Sequence, residues 1–294
     1  MKELVKILLA ILMLSTCQKA KKSINTNQTA EKITEDDSLK MVEMAEDFKP
    51  ENHFEVMETF FGKPKHDIQS IGILVYDGVN ELDFMGPRYV LGQSMGVKTE
   101  LIAINAGNVK TVMGVEIVPD NVIDSVNQLD ILVIPGGFKG TIEAAYDDKL
   151  HEWIRKIDKK TTYTAAVCTG VWVLGATGLL KGKKATTNWY EAEEMLKKYE
   201  AKFTNERFTQ DGKYWTSAGV TAGMDMSLAI MKEIWGEKYT QAVMLDMEYD
   251  PAPPIQGGSP EKTESTVYQM MKSMYAMGIT PLIDSLENNK SVVN

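Results

Sequence analysis

From Ser70 onward, short apolar runs closed by turn residues alternate with stretches of helical spacing, and this alternation restricts the fold more than any other feature of the chain. "IGILVYDG" is an apolar run ending in a turn signal, the pattern of a strand buried on both faces. "ELDFMGPRYVLGQSMG" follows with helical spacing, broken or kinked at Gly86-Pro87 because proline removes an N–H and crowds the preceding turn. "KTELIAINA" predicts a second strand, "VKTVMGVEIVPD" a hairpin arm, and "QLDILVIPGG" a strongly apolar strand closed by a glycine pair. "GTIEAAYDDKLHEWIRKIDKK" is an amphipathic helix, "TTYTAAV" the next strand and "TGVWVLGATGLL" the helix after it. "KFTNERFTQDGKYWTSAG" reads as a strand pair around Asp211-Gly212, and "TAGMDMSLAIMKEIWG" as a further helix.

Strands that alternate with helices require right-handed crossovers. The expected architecture is therefore an α/β domain, a doubly wound parallel sheet covered on both faces. Ligand sites in such sheets lie at the carboxyl ends of the strands. Three turns fall there: Asp77-Gly78, Gly136-Gly137 and Cys168-Thr169-Gly170.

The start of the sequence, "MKELVKILLAILMLSTCQKAKKS", has a different character. Lys2 and Lys6 supply a basic start, and the apolar run is shorter than the ~20 residues of a spanning helix. Its ending, Leu14-Ser15-Thr16-Cys17, resembles a bacterial lipoprotein signal, in which cleavage precedes the cysteine and its sulfur carries a diacylglyceryl group. An ordinary secretory signal and an uncleaved anchor are the alternatives. The division expected is a signal segment and lipidation cysteine over 1–17, a polar tether and edge segment over 18–69, one domain over 70–280 and a tail over 281–294. Localisation would then be the cell envelope, exported and held to a membrane by lipid methylenes. The formal charge is -9 and the basic residues are scattered, which argues against nucleic acid as a partner.

With Cys17 lipidated, Cys168 is an unpaired thiol, since the chain has only two cysteines. It stands where an apolar strand turns into a helix, with Gly170 giving room for a tight turn and the positive end of the helix beneath the side chain. That setting favours thiolate, with a thiol pKa below the ~8.5 of a free cysteine. The analogous serine turn is the nucleophile elbow, although Ala166 takes the place of its upstream glycine. Local sequence leaves an inert, buried cysteine equally open.

The histidines decide the reaction type. Only His53, His66 and His151 occur; the first two precede the domain and the third falls on the polar face of a helix. This argues against a Cys-His-acid triad and leaves a carboxylate as the group to move protons, if any does. Asp83 in "NELDFMGP" follows the first strand at the same sheet edge, with Leu82 and Phe84 expected to face the core. Asp83 could otherwise be a helix-start residue, a part that Glu81 could also play. The prolines of "YDPAPP" forbid helix and predict an extended strap on the surface, in preference to a pocket wall or dimer contact.

"LDFMGP", "LDILVIPGG", "AAVCTGVWVLGATGLLKGKKATTNW", "GVTAGMDMSLAI" and "LDMEYDPAPPIQGGSP" occur in that order, and together they resemble the ThiJ/PfpI superfamily, within it the isonitrile hydratases. The resemblance covers about Ser70 to Met277. It implies a flavodoxin-like sandwich, Cys168 as nucleophile, Asp83 as its acidic partner, Thr169 as an assisting residue, and a homodimer. Asn188 stands where many relatives have histidine, and the leader and tether are additions.

The reaction expected is addition of water to an isonitrile through a cysteine thioimidate, giving an N-substituted formamide. The substrate partner is a small-molecule electrophile, and the scheme calls for no cofactor and no metal. Backbone N–H groups around Gly136, Gly137 and Thr169 would support developing charge. Hydration of another small electrophile, or a non-enzymatic thiol sensor or ligand-binding lipoprotein, are the rival readings.

Mass spectrometry of the protein from its native membrane should give a mature chain that starts at Cys17 and carries a diacylglyceryl mass. A chain that retains Met1, or an unmodified Cys17, is the contrary result.

Overall fold

The structure is a computed structural model that describes residues 53–293. The expected leader, Cys17 and the tether as far as residue 52 lie outside the described residues.

The chain opens with α1 (His53–Phe61), then β1 (Ser70–Val75), α2 (Glu81–Gly92) and β2 (Lys98–Ala103). A hairpin, β3 (Val109–Lys110) and β4 (Glu116–Ile117), leads to β5 (Asn121–Val122) and β6 (Ile131–Ile134). Next come α3 (Lys139–Ala144), α4 (Asp148–Asp158), β7 (Tyr163–Val167), α5 (Gly170–Ala176), β8 (Lys184–Ala185), α6 (Ala192–Lys198) and β9 (Lys202–Phe203). The strand pair β10 (Phe208–Asp211) and β11 (Tyr214–Ser217) precedes α7 (Ala222–Trp235), α8 (Glu237–Asp246) and α9 (Ser265–Val293).

The main sheet has the order β10-β11-β7-β6-β1-β2-β5 and seven strands. All its pairings are parallel except β10 with β11. From β2 to β11 this is the flavodoxin-like order, whose connections reverse direction between β1 and β6. The turns that follow β1, β6 and β7 therefore meet at one edge, and Asp83, the glycine pair and Cys168 follow those three strands.

The inner strands are uniformly apolar because helices cover both faces; β6 and β7 are buried at every position. α2 packs against α7, and α5 packs against α3 and α4. The buried stripe of α2 is Asp83, Gly86, Pro87, Val90 and Leu91, the i, i+3, i+4, i+7, i+8 spacing of one helix face. The helix runs through Pro87 without the expected break. Leu82, expected in the core, is 53% exposed, because Asp83 and Phe84 take the inward positions.

Helix α9 continues past residue 280 and through Pro281, so the tail is not a separate segment. Ile279, Leu282, Ile283 and Leu286 continue a helical stripe that closes over Ile142, Trp172 and Tyr190. Gly278 lets this helix approach: a Cβ there would stand 2.5 Å from the Phe138 ring. The proline segment Pro251–Gly258 is extended and exposed as a strap, and it also walls the main cavity, the role the sequence reading placed second.

Gly170 is a packing requirement of the turn after β7. An added Cβ would meet the Ile134 carbonyl oxygen at 2.3 Å and Pro135 backbone at 2.6 Å. Those atoms belong to the neighbouring strand end and cannot swing aside. Gly170→Ala should therefore lower unfolding stability in urea by about 3 kcal/mol or more, the upper range for overpacking. Gly257→Ala, where a Cβ meets nothing within 4 Å, should leave it unchanged.

Candidate active site

Cys168 is the turn residue itself. Its φ of 59° places an ordinary L-residue in the left-handed region, a conformation that costs on the order of 1–3 kcal/mol and is tolerated only where surroundings enforce it. Three contacts do so. The Cys168 N–H donates to the Ser217 carbonyl at 3.0 Å, the Thr187 hydroxyl donates to the Cys168 carbonyl at 2.8 Å, and Gly170 leaves room for the backbone beyond. The turn aims Sγ out of the strand end toward the turns after β1 and β6.

Asp83 meets it there. Its carboxyl is fully buried, and neither oxygen finds a well-aligned hydrogen-bond partner, although the Gly136 N–H and the Cys168 thiol lie against it. Helix capping is done by another residue, Asn80, whose side chain accepts from the Leu82 N–H at 3.0 Å. Glu81 binds the Thr111 hydroxyl and the Met113 N–H on the hairpin. Asp83 lies in the first turn but is not the capping residue.

Thr169 and the glycine pair lock the turns together. The Thr169 hydroxyl donates to the Gly137 carbonyl at 2.9 Å and accepts from the Gly137 N–H at 3.0 Å. A Cβ on Gly136 would stand 2.6 Å from Thr169 Oγ1 and 2.9 Å from Asp83 Oδ2. One on Gly137 would stand 2.2 Å from the Gly78 carbonyl oxygen. The N–H of Gly137 is spent on Thr169 and that of Gly136 faces Asp83, so neither is available as the expected oxyanion donor. The pair acts instead as the bare backbone that lets three strand ends close to contact.

Asn188 is the residue whose role the sequence did not show. It is buried, and its Oδ1 accepts from the Tyr190 N–H at 3.0 Å, which turns Nδ2 toward Sγ at 3.3 Å. The neighbours of the sulfur are Asp83, Asn188, Thr169 and Gly219, and none is a histidine. His151 is buried, not on the polar face as expected, with Nε2 3.1 Å from the Ala144 carbonyl. His66 packs edge-on against Tyr163, at the opposite end of β7 from the thiol.

The electrostatics correct one expectation. The thiol is not held low by the short helix beneath it. Burial pushes its pKa well up and the Asp83 charge pushes it further, while Asn188 and the Thr169 N–H pull the other way. The sulfur-bearing residue is only 6% exposed, so loss of water outweighs the helix end. Burial also raises Asp83, to about 7, with the thiol and the Gly136 N–H acting against it. Two acids in contact, each disfavouring charge on the other, share a proton and titrate as a unit.

A cavity of about 1340 Å³ lies beyond Thr187 and Gly219, residues that pack on Cys168. Trp189, Tyr268, Tyr249 and Pro251 also line it. A Cβ on Gly219 would stand 2.6 Å from Sγ, so only glycine lets this segment of the cavity wall approach the sulfur so closely. Among the described residues, no group of three or more His, Cys, Asp or Glu is placed to hold a metal ion.

A flavodoxin-like sheet with a strained cysteine after one strand and a buried carboxyl after another defines a class of thiol-bearing α/β proteins. Residues 69–233 match the DJ-1/PfpI family, and the chain belongs to it. It is similar to the isonitrile hydratase of Pseudomonas putida, 36% identical over 197 residues that cover 67% of this chain and 86% of that protein. A crystal structure of a ThiJ/PfpI family protein from Pseudomonas syringae superposes with a TM-score of 0.72 at 32% identity, covering 82% of this chain and 96% of that one. The family also includes regulators. The HTH-type transcriptional regulator CdhR of Pseudomonas aeruginosa is 29% identical over 137 residues, 46% of this chain, which spans 40% of that regulator's length.

The raised Asp83 has a consequence for stability. Below the ordinary carboxyl range both folded and unfolded chains carry the proton. As pH rises from there to about 7, the unfolded chain releases it and the folded chain keeps it, so this group removes stability. Asp83→Asn removes the term. The melting temperature of Asp83→Asn should therefore gain on wild type between pH 4 and pH 8. A constant difference would mean that Asp83 titrates as an ordinary surface carboxyl.

Proposed function

We propose that the chain is a thiol-dependent hydratase that adds water to isonitriles. The observation that carries this reading is the buried pairing of Cys168 with Asp83, with Gly219 leaving no Cβ over the sulfur, in a chain similar to an isonitrile hydratase. An isonitrile is terminated by a bare carbon, and this slim end can reach a sulfur that a single added Cβ would cover.

The roles follow from the contacts. Sγ bonds to the isonitrile carbon as Asp83 takes the thiol proton and passes it to that carbon, leaving a thioimidate, R–N=CH–S. A water molecule adds to the same carbon. One of its protons goes to Asp83 and then to nitrogen. When the C–S bond breaks, its electron pair returns to sulfur, and the hydroxyl proton passes through Asp83 to the thiol. The sum is R–NC plus H2O giving R–NH–CHO, with the enzyme unchanged. Splitting one addition into two is the gain of covalent catalysis. A carboxyl with a pKa near neutrality suits both directions of transfer. Asn188 Nδ2 and the Thr169 N–H steady the sulfur as it becomes anionic. Lipid anchoring at Cys17 would place this chemistry at a membrane surface.

Incubation of wild type with panels of isonitriles and dicarbonyls, followed by product mass spectrometry, tests the reading. Formamides should appear with wild type and not with Cys168→Ala. The double variant with Asp83→Asn should be no worse than Cys168→Ala alone, since groups acting as a unit are not additive. Gly219→Ala should slow both turnover and thiol alkylation by about tenfold or more, as expected for a group displaced from attack distance. Conversion of dicarbonyls alone would reassign the substrate to another small electrophile.

A further inference from the structure

Backbone separates the cavity from the thiol. Thr187 and Gly219 line the cavity, Cys168 does not, and a Cβ on Gly219 would stand 2.6 Å from Sγ. We propose that segment 218–221 is a gate over the thiol, and that Arg207, fixed by Asp225, is the positioning residue that holds it shut.

Arg207 grips the segment at both ends. Its carbonyl accepts from the Ala218 N–H at 2.9 Å, and its Nη2 donates to the Thr221 hydroxyl at 3.4 Å. The first bond fixes where the chain leaves β11, and the second where it enters α7. Between these points Gly219 packs on Sγ, and a Cβ there would also stand 3.3 Å from Asn188 Nδ2. Glycine brings no side chain to anchor the segment and has the most backbone freedom to lose, so the hold must come from a neighbour.

The guanidinium is held in turn. Asp225 Oδ2 accepts from Arg207 Nε, and Oδ1 accepts from the Tyr249 hydroxyl at the start of the strap. Asp225 rides on the first turn of α7, beside buried Ala222 and Met226, so the acid is anchored apart from the segment it steadies. The Arg207 side chain is 57% exposed, and an isolated ion pair at such a site contributes little. This pair counts because the same guanidinium also holds Thr221, and a weak latch is one that can be released. Arg207, Ala218, Gly219, Thr221, Asp225 and Tyr249 all line the cavity. A molecule that fills it therefore touches both gate and latch.

Thiol labelling tests the gate without any substrate, so its outcome stands apart from the hydratase reading. The full chain is treated with iodoacetamide, and peptide mass spectrometry separates label on Cys168 from label on Cys17. Arg207→Gln should raise the rate at Cys168 about fivefold or more, the effect of removing charge-assisted bonds from a local opening. Asp225→Ala should act in the same direction, and the double variant should label no faster than the faster single one, since both act through one guanidinium. These rates should not change with urea below the unfolding transition, because a local opening exposes little new surface. Should Arg207→Gln melt early, Thr221→Val, which removes one grip, should raise labelling about twofold at an unchanged melting temperature. Wild-type labelling rates in the variants, or rates that climb with urea as for global unfolding, overturn the gate.

Discussion

A carboxyl buried in the core stripe of a helix is the constraint around which the rest of this site is built. Asp83 stands at an inward position of α2 that an apolar residue would fill at lower cost. It is fully buried and short of partners, so it is kept close to neutral and its proton is available at neutral pH. That cost has no structural return: capping is done by Asn80, and the hairpin is held by Glu81. A buried acid with no structural task, set against a strained cysteine, is the arrangement in which perturbed titration points to chemistry.

The glycines explain how three strand ends can approach closely enough. Gly136 faces Asp83 and Thr169, Gly137 faces the Gly78 carbonyl, and Gly170 faces the end of β6. Each contact is backbone on backbone or backbone on a reacting side chain, at distances no Cβ allows. The strain at Cys168 is held by the same closure, since Ser217, Thr187 and Thr169 tie the turn to β11, to the segment after β8 and to the glycine pair. Fold and site share these contacts: the turns that close the strand ends are the ones that hold the φ of Cys168.

The architecture was legible because strands and helices differ in period and the turn residues mark their ends. The meeting of Asp83 with Cys168 followed from topology alone, once both were assigned to the carboxyl edge of a parallel sheet. Four things were not legible. Leu82 and Asp83 are adjacent, and a helix face cannot be chosen within one residue without knowing what covers it. The direction of the thiol's pKa depends on burial, which the sequence does not report; the helix end was visible and the loss of water was not. Asn188 looks like an ordinary polar residue until the Tyr190 N–H fixes which way its amide points. Arg207 and Asp225 look like ordinary surface charges in separate elements, and nothing in their spacing shows that they meet beside segment 218–221.

On the proposed hydration, a thiol whose named neighbours include a carboxyl and no histidine has a chemical reason. An imidazole takes a proton from a nucleophile and gives it to a leaving group, which suits a substrate that departs in two pieces. Hydration of an isonitrile expels nothing: every proton that enters the site stays on the product. In the proposed scheme the first proton moves from sulfur through Asp83 to the carbon that sulfur has just attacked. A small carboxyl with two equivalent oxygens can accept on one side and donate on the other without turning. Its pKa of about 7 leaves it able both to accept and to donate a proton at neutral pH. Burial denies both the thiol and the carboxyl an easy ionisation, so the raised thiol pKa and the raised acid pKa are two results of the same closed geometry.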